Sequence, residues 1–563
     1  MKSRTNMRRS IRRNGSRCLL EQLESRTLFN GNVTASVASR ILNLQGNNLN
    51  NSIVVAQTST STTGFTVSSG DGSTTINGKS TPQAFTGVTG ITTKLGCGND
   101  TVLIENATGI AGNVQITASN GNQNITLDNV VVGGNFTLTN SGGQNQTTVE
   151  NSTIDGSATV SAGAGFNCQG WSCWGCSSFN DANEIFTLSY STVQNNLSIS
   201  NVSGETTTDI EYSTVGSSTV AGSTVEGNVT ITNGASSYGY CGFHCDSSSA
   251  AGDLFTMNYS TIANNVTISN DSDGNTTNIG NVSTIGGNLT VSNLVGTASQ
   301  CCFNSCFSGN LANASDSFTL NGASSVMGNA LLANVSDGAM TDIDGASSID
   351  GTLTINNGVG SYGQGFTSCC GQTSTDYGDL FTMSGDSYIG SDVSISNGST
   401  YNDTKVLAGS TITGSLKVGD GLNLSGRSTD DHCGGGGYGC GCGGCGGGYS
   451  YQSVYTTDLF TLDGSFVINN LAVSNASGYT DTAITDGAFV GSSVVVADQN
   501  GVAYFEMDSS FIGANLLFTA GSGITVVDVT SSTISGSATV IVSTGASVSI
   551  ASGQVAGAVT ITV

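Results

Sequence analysis

Fourteen of the sixteen cysteines fall in five glycine-rich patches. Cys168, Cys173 and Cys176 lie in residues 162–183, and Cys241 and Cys245 in 235–252. Cys301, Cys302 and Cys306 lie in 294–315, and Cys369 and Cys370 in 358–378. Cys433, Cys440, Cys442 and Cys445 lie in 421–457. The patches also hold both histidines, His244 and His432, and both tryptophans, Trp171 and Trp174. Three chemistries are open to such thiols. Disulfides lead, because a loop with no core of its own needs a covalent staple and an exported chain meets oxidising conditions. Metal binding is second: "CQGWSCWGC" and "HCGGGGYGCGCGGC" are dense in ligands. However, no pair of Cys-x-x-Cys motifs has zinc-ribbon spacing. Crosslinking between chains is third. The vicinal pairs Cys301-Cys302 and Cys369-Cys370 favour partners elsewhere, and odd counts in two patches require some bridge to leave its own patch.

Acid–base chemistry has one candidate. Lys405 and Lys417, near Asp403 and Asp420, are the main gathering of cations in an otherwise base-poor body. A polysaccharide lyase or hydrolase would need clustered carboxylates beside such a base. The remaining signals are negative. Neither histidine lies outside the patches, no strand–turn–helix nucleophile elbow occurs, and no phosphate loop occurs. The reading is therefore a non-catalytic protein, with a polysaccharide-binding or polysaccharide-cleaving protein as the alternative.

The elements between the patches repeat. Phrases close to Asp-Leu-Phe-Thr-Met begin at Glu184, Asp253, Asp316, Asp379 and Asp458, each after a patch. A second series of anchors runs Val114, Phe136, Ala158, Leu197, Val229, Val266, Leu289, Ala330, Leu353, Val393, Leu416, Leu471, Val494, Leu516, Ala538 and Val559. Where no patch intervenes the spacing is 21 to 23 residues, and self-similarity at such a period signals a solenoid. Each unit has three apolar pulses of period two: Phe255 and Met257, then Ile262, then Val266 and Ile268. Period-two pulses place apolar side chains on one face of a strand, and the Asn, Gly and Ser between them turn the chain. The expectation is an all-β parallel β-helix (β-solenoid) of about 22 residues per coil, with Cys-rich insertions on alternate coils at one edge. Antiparallel sandwiches are the runner-up. The asparagines before the anchors (Asn113, Asn135, Asn228, Asn265, Asn288, Asn329, Asn470 and Asn515) are expected to stack as a partial ladder or to take the left-handed turn conformation. The seam acids are read as solvated strand-entry charges.

Composition agrees. Only 9% of residues are charged, Pro occurs once, and the net charge is −25. A body so acidic repels phosphate backbones, which excludes nucleic acid as a partner. No segment has the apolar length of a membrane span.

The first 30 residues differ: eight are basic and two acidic. "LEQLESRTLF", residues 20–29, resembles the Leu-Glu-x-Leu-Glu-x-Arg-x-Leu-Leu motif at the start of many planctomycete exported and surface proteins. Glu21, Leu23, Glu24, Arg26 and Leu28 match, and Phe29 departs from the usual Leu. The resemblance implies export to the cell envelope or beyond. "LGCGNDTVLI", residues 95–104, is similar to one turn of the Gly-Gly-x-Gly-x-Asp calcium repeats through Gly96, Gly98 and Asp100. In those repeats calcium sits between turns, so one copy makes Asp100 half of a calcium site; the other reading is a plain strand-entry turn. The domain reading is 1–32 as a basic export segment, 33–110 as an N-terminal β region, and 111–563 as the β-helix. An open coil end also suggests self-association. The partners implied are thus another copy of the chain or a cell-surface polysaccharide.

Overall fold

The computed structural model describes residues 31–58, 62–163, 184–201, 205–211, 223–234, 252–293 (except 273), 315–334, 338–358, 378–420 (except 400), 457–551 (except 477) and 554–563. These residues form a parallel β-helix. Each of the sixteen anchors begins a strand, and each such strand pairs in parallel with the next without a register slip. Phe136 lies on Ala158, Leu197 on Val229, and Val266 on Leu289. The cause is the spacing: with about 22 residues per coil, equivalent residues return one strand spacing further along the axis.

One coil has three strands. The long strand Asn145–Glu150 is followed by the two-residue strand Thr153–Ile154 and then by the anchor strand Ala158–Ala162. Thr206–Glu211, Thr224–Val225 and Val229–Asn233 repeat this, as do Leu254–Asn258, Thr261–Ile262 and Val266–Asn270. Inward residues alternate with outward ones, and the inward set makes one continuous apolar core. On the anchor strands the outward positions carry Thr137, Thr159, Thr230, Thr267 and Thr290, as the period-two pattern requires.

Stacking begins before the first anchor. Ile41–Gln45 pairs in parallel with Gly90–Lys94, and Ser52–Gln57 with Thr101–Ile110. The N-terminal end differs in texture. Gly31–Ala38 is antiparallel to Ile41–Gln45, and Phe65–Ser69 is antiparallel to both Ser52–Gln57 and Gln83–Phe85.

The corner after each long strand is built from a left-handed residue and a buried serine. Asn151, Tyr190 and Tyr259 have positive φ, and Ser152, Ser191 and Ser260 follow them. The serines stack: Ser152 N–H donates to Ser191 Oγ (3.0 Å), and Ser283 N–H to Ser324 Oγ (3.1 Å). The asparagines before the anchors do not take positive φ, so the left-handed reading belongs to this other corner. Their ladder exists, but mainly through the backbone. Asn135 N–H donates to Asn113 Oδ1 (2.9 Å), Asn288 N–H to Asn265 Oδ1 (2.8 Å), and Asn329 N–H to Asn288 Oδ1 (2.8 Å). One amide-to-amide link, Asn265 Nδ2 to Asn228 Oδ1 (3.1 Å), accompanies it.

The core also shows why insertions recur on every second coil. One inward column of the long strands reads Thr147, Phe186, Thr208, Phe255, Thr277, Phe318, Thr341, Phe381, Thr404, Phe460, Thr482, Phe505. Phenylalanines alternate with threonines without exception, and all are buried. A ring on every coil would have to fit the ≈ 4.8 Å strand spacing, whereas a Thr between rings leaves each one about two spacings. The structural repeat is therefore a pair of coils. Thr341→Phe forces a third ring between Phe318 and Phe381 and is expected to destabilise by about 1–3 kcal/mol. Thr341→Val removes a buried hydroxyl that has no hydrogen-bond partner and is expected to be neutral or stabilising. Thermal melts of the two variants check this directly.

Candidate functional site: the insertion edge

All fourteen insertion cysteines, both histidines and both tryptophans lie outside the described residues, and the disulfide, metal and crosslinking readings fall there with them. What the structure does describe is the edge from which the insertions arise. The strands entering the five insertions end at Ala162, Asn233, Asn293, Asn357 and Asp420, which occupy one register position. The residues after them, Glu184, Asp253, Asp316, Asp379 and Asp458, occupy another. Residues 212–222 are a further undescribed stretch, at the corner between a long strand and its two-residue strand. It lacks the cysteines that mark the other insertions, so the sequence pattern does not flag it.

Two buried polar columns line this edge. The first consists of strand-terminal amides. Asn201 Nδ2 donates to Asn233 Oδ1 (3.2 Å), Asn233 to Asn270 (2.9 Å), Asn270 to Asn293 (2.8 Å) and Asn293 to Asn334 (2.9 Å). It continues from Asn334 to Asn357 (2.9 Å), Asn357 to Asn397 (2.9 Å) and Asn397 to Asp420 Oδ1 (2.7 Å). Asn475 Nδ2 then donates to Asp498 Oδ1 (2.6 Å). Every Nδ2 points toward the C-terminal coils. Below this run Asn140 sits between Ala118 and Ala162, and both of its amide atoms lack partners.

The second column is the seam. Its acids are buried rather than solvated: Asp253 is 2% exposed, Asp379 1% and Glu184 5%. The structure corrects the surface-charge reading, and the reason is the hydrogen bonding. These acids close the start of each long strand by accepting hydrogen bonds from the coil below. Asp253 Oδ1 takes Thr206 Oγ1–H (2.6 Å), Asp316 Oδ1 takes Asn275 Nδ2–H (3.0 Å), Asp379 Oδ1 takes Ala339 N–H (3.1 Å), and Asp458 Oδ1 takes Asn402 Nδ2–H (2.8 Å). Asn145 donates to Glu184 in the same way.

Burial makes these carboxyls weak acids. Glu184 is pushed up to about 8 by burial, against the hydrogen bond from Asn145. Asp458 rises to about 7 through burial, and Asp379 and Asp498 to about 6. Asp420 reaches about 8, through burial first and then through the neighbouring charges of Asp458 and Asp379, against the hydrogen bond from Asn397.

The acid–base candidates do not converge. Asp403 and Lys405 form an ion pair on the outward side of the strand Tyr401–Val406. Lys417 points outward from the strand Leu416–Asp420 in a different sheet, while Asp420 on that strand points inward. The four are therefore split between two faces and the interior. Asp100 does not sit on a surface turn either. It is 1% exposed, and its Oδ1 accepts from Asn51 N–H (2.8 Å) and Nδ2–H (2.9 Å) on the coil below. Burial raises its pKa. It thus opens the seam column. Its neighbour Gly98 (φ +137°) is there because the backbone is left-handed and close-packed: a Cβ on Gly121 of the next coil would lie 2.1 Å from Gly98 O. Among the described residues no three His, Cys, Asp or Glu are grouped to hold a metal.

Both columns were within reach of the sequence. The last Asn of the "Ile-Ser-Asn" phrases is four residues past the anchor, and an even offset along a strand means an inward side chain. The fold and its edge define a class: a parallel β-helix with internal polar ladders beside its insertions. Compared with family models, curated proteins and solved structures, the chain matches none of them. No helix among the described residues is long and apolar enough to cross a membrane.

Proposed function

We propose that this is an exported, non-catalytic β-helix protein of the cell surface or envelope. It acts as a structural or adhesive scaffold that presents a row of disulfide-stapled insertions. The observation that carries this reading is the register equivalence of all five insertion roots on alternate coils, which sets neighbouring roots about 10 Å apart. At that spacing a bridge can form within an insertion or between neighbours. The basic N-terminal motif supports export, and the placement of fourteen cysteines in the insertions supports an oxidising destination.

The test is non-reducing peptide mapping of the protein recovered from its native cells, with fractionation. The reading expects the chain in the envelope or medium fraction, with insertion cysteines paired inside one patch, between adjacent patches or between chains. Fully reduced cysteines on cytosolic protein would sink it.

A further inference from the structure

The amide ladder changes chemistry at one point. From Asn201 to Asn397, each member accepts on Oδ1 from the coil below and donates Nδ2–H to the coil above. Asp420 keeps the first half of the pattern, accepting from Asn397 at 2.7 Å. The atom standing in the donor's place is then Oδ2, which is buried and has no hydrogen-bond partner. Asp420 pairs in register with Asn475 on the next coil, and Asn475 Oδ1 is likewise buried without a partner. Two orphaned acceptors thus meet where every other step of the ladder has a donor and an acceptor.

We infer that Asp420 carries a proton on Oδ2 and donates it to Asn475 Oδ1, so that a neutral carboxylic acid acts as one rung of the amide ladder. One proton satisfies both orphaned atoms, whereas an ionised carboxylate would leave two oxygens repelling each other in a dry site. The surroundings favour the neutral form. The charged or titratable groups facing Asp420 are the carboxyls of Asp379 and Asp458 across the seam, with Asp498 two coils further along its own column. Its ladder neighbours, Asn397 and Asn475, are uncharged. Lys417, on the same strand, points outward. The burial that pushes Asp420 up agrees with this placement. The same arrangement occurs at the start of the seam. Asp100 accepts from Asn51 through Oδ1, its Oδ2 is orphaned, and its register neighbour Gln123 has an orphaned Oε1.

The consequence is a titratable joint at the root of the longest insertion, whose sequence starts at Gly421. Loss of the proton above neutral pH breaks this rung and places a charge beside Asp458. The test uses the full chain and three proteins: wild type, Asp420→Asn and Asn475→Ala. Asp420→Asn supplies a permanent Nδ2–H donor and is the variant expected to fold unchanged. Infrared difference spectra, wild type minus Asp420→Asn, are expected to show a carboxylic-acid C=O band at pH 6 that gives way to carboxylate bands at alkaline pH. In Asn475→Ala the neutral form loses its acceptor, and that band is expected to titrate about one pH unit lower or more. Carboxylate bands alone at pH 6 would overturn the proton assignment. An unmoved titration in Asn475→Ala would overturn the assigned hydrogen bond. If Asn475→Ala does not fold, the Asp420→Asn difference spectrum alone still decides the protonation state.

Discussion

The thermal midpoint of the full chain falls by on the order of 10 °C between pH 5 and pH 9, which is the opposite of acid denaturation. The cause is the set of buried carboxyls at the insertion edge: Glu184, Asp379, Asp420, Asp458 and Asp498. In the unfolded chain they titrate near 4. In the fold burial raises them, to about 6 for Asp379 and Asp498, about 7 for Asp458, and about 8 for Glu184 and Asp420. A group raised by folding binds its proton more tightly in the native state. Its stabilising contribution is complete below pH 4, shrinks as the unfolded chain releases protons, and is gone once pH passes the folded value. A tenfold difference in proton affinity between the two states is worth about 1.4 kcal/mol, so five such groups outweigh an ordinary surface-charge effect. Differential scanning calorimetry at fixed ionic strength checks the sign. Glu184→Gln is expected to flatten part of the slope, since the amide keeps an acceptor oxygen for Asn145 and has no proton to lose.

The second large effect comes from breaking the amide ladder at its middle. Asn293→Leu removes the acceptor of Asn270 and the donor to Asn334 together, and both neighbours stay buried. Each orphaned buried group costs about 1–3 kcal/mol, so the variant is expected to lose about 2–5 kcal/mol. A repeat array opens locally, so the loss should concentrate in the coils around the break. Hydrogen exchange is expected to speed up most at the amides of Val291 and Leu332, which flank the site. A loss spread evenly along the rod would argue against a ladder acting step by step.

These effects show where the sequence was legible and where it was not. The β-helix was readable because its signal is positional. Sixteen anchors at near-constant spacing, each opening an inward–outward alternation, leave few other ways to bury Val, Ile and Leu. The site was harder because polar residues carry a surface prior. Asp253 and Asp379 look like strand-entry charges until the alternation is continued one step back, to the inward side. Lys405 and Lys417 failed as a constellation for the converse reason: closeness in sequence does not survive folding into different sheets. The asparagines before the anchors do stack, but with a different chemistry from the expected amide-to-amide bonding. An exposed amide there meets a backbone N–H one coil away, and the dry amide-to-amide links lie at the other end of the strand.

The central claim is a straight stack of coils in constant register, and pulsed dipolar spectroscopy tests it directly. Spin labels on p-acetylphenylalanine avoid the cysteines; the outward positions Gln115, Thr290 and Lys417 suit them. The register puts six coils between the first two, or about 29 Å, and four between the last two, or about 19 Å. The account predicts a third distance, Gln115 to Lys417, near the sum of these, at about 48 Å. A third distance well short of that sum, or a broad distribution for any pair, would contradict the stack.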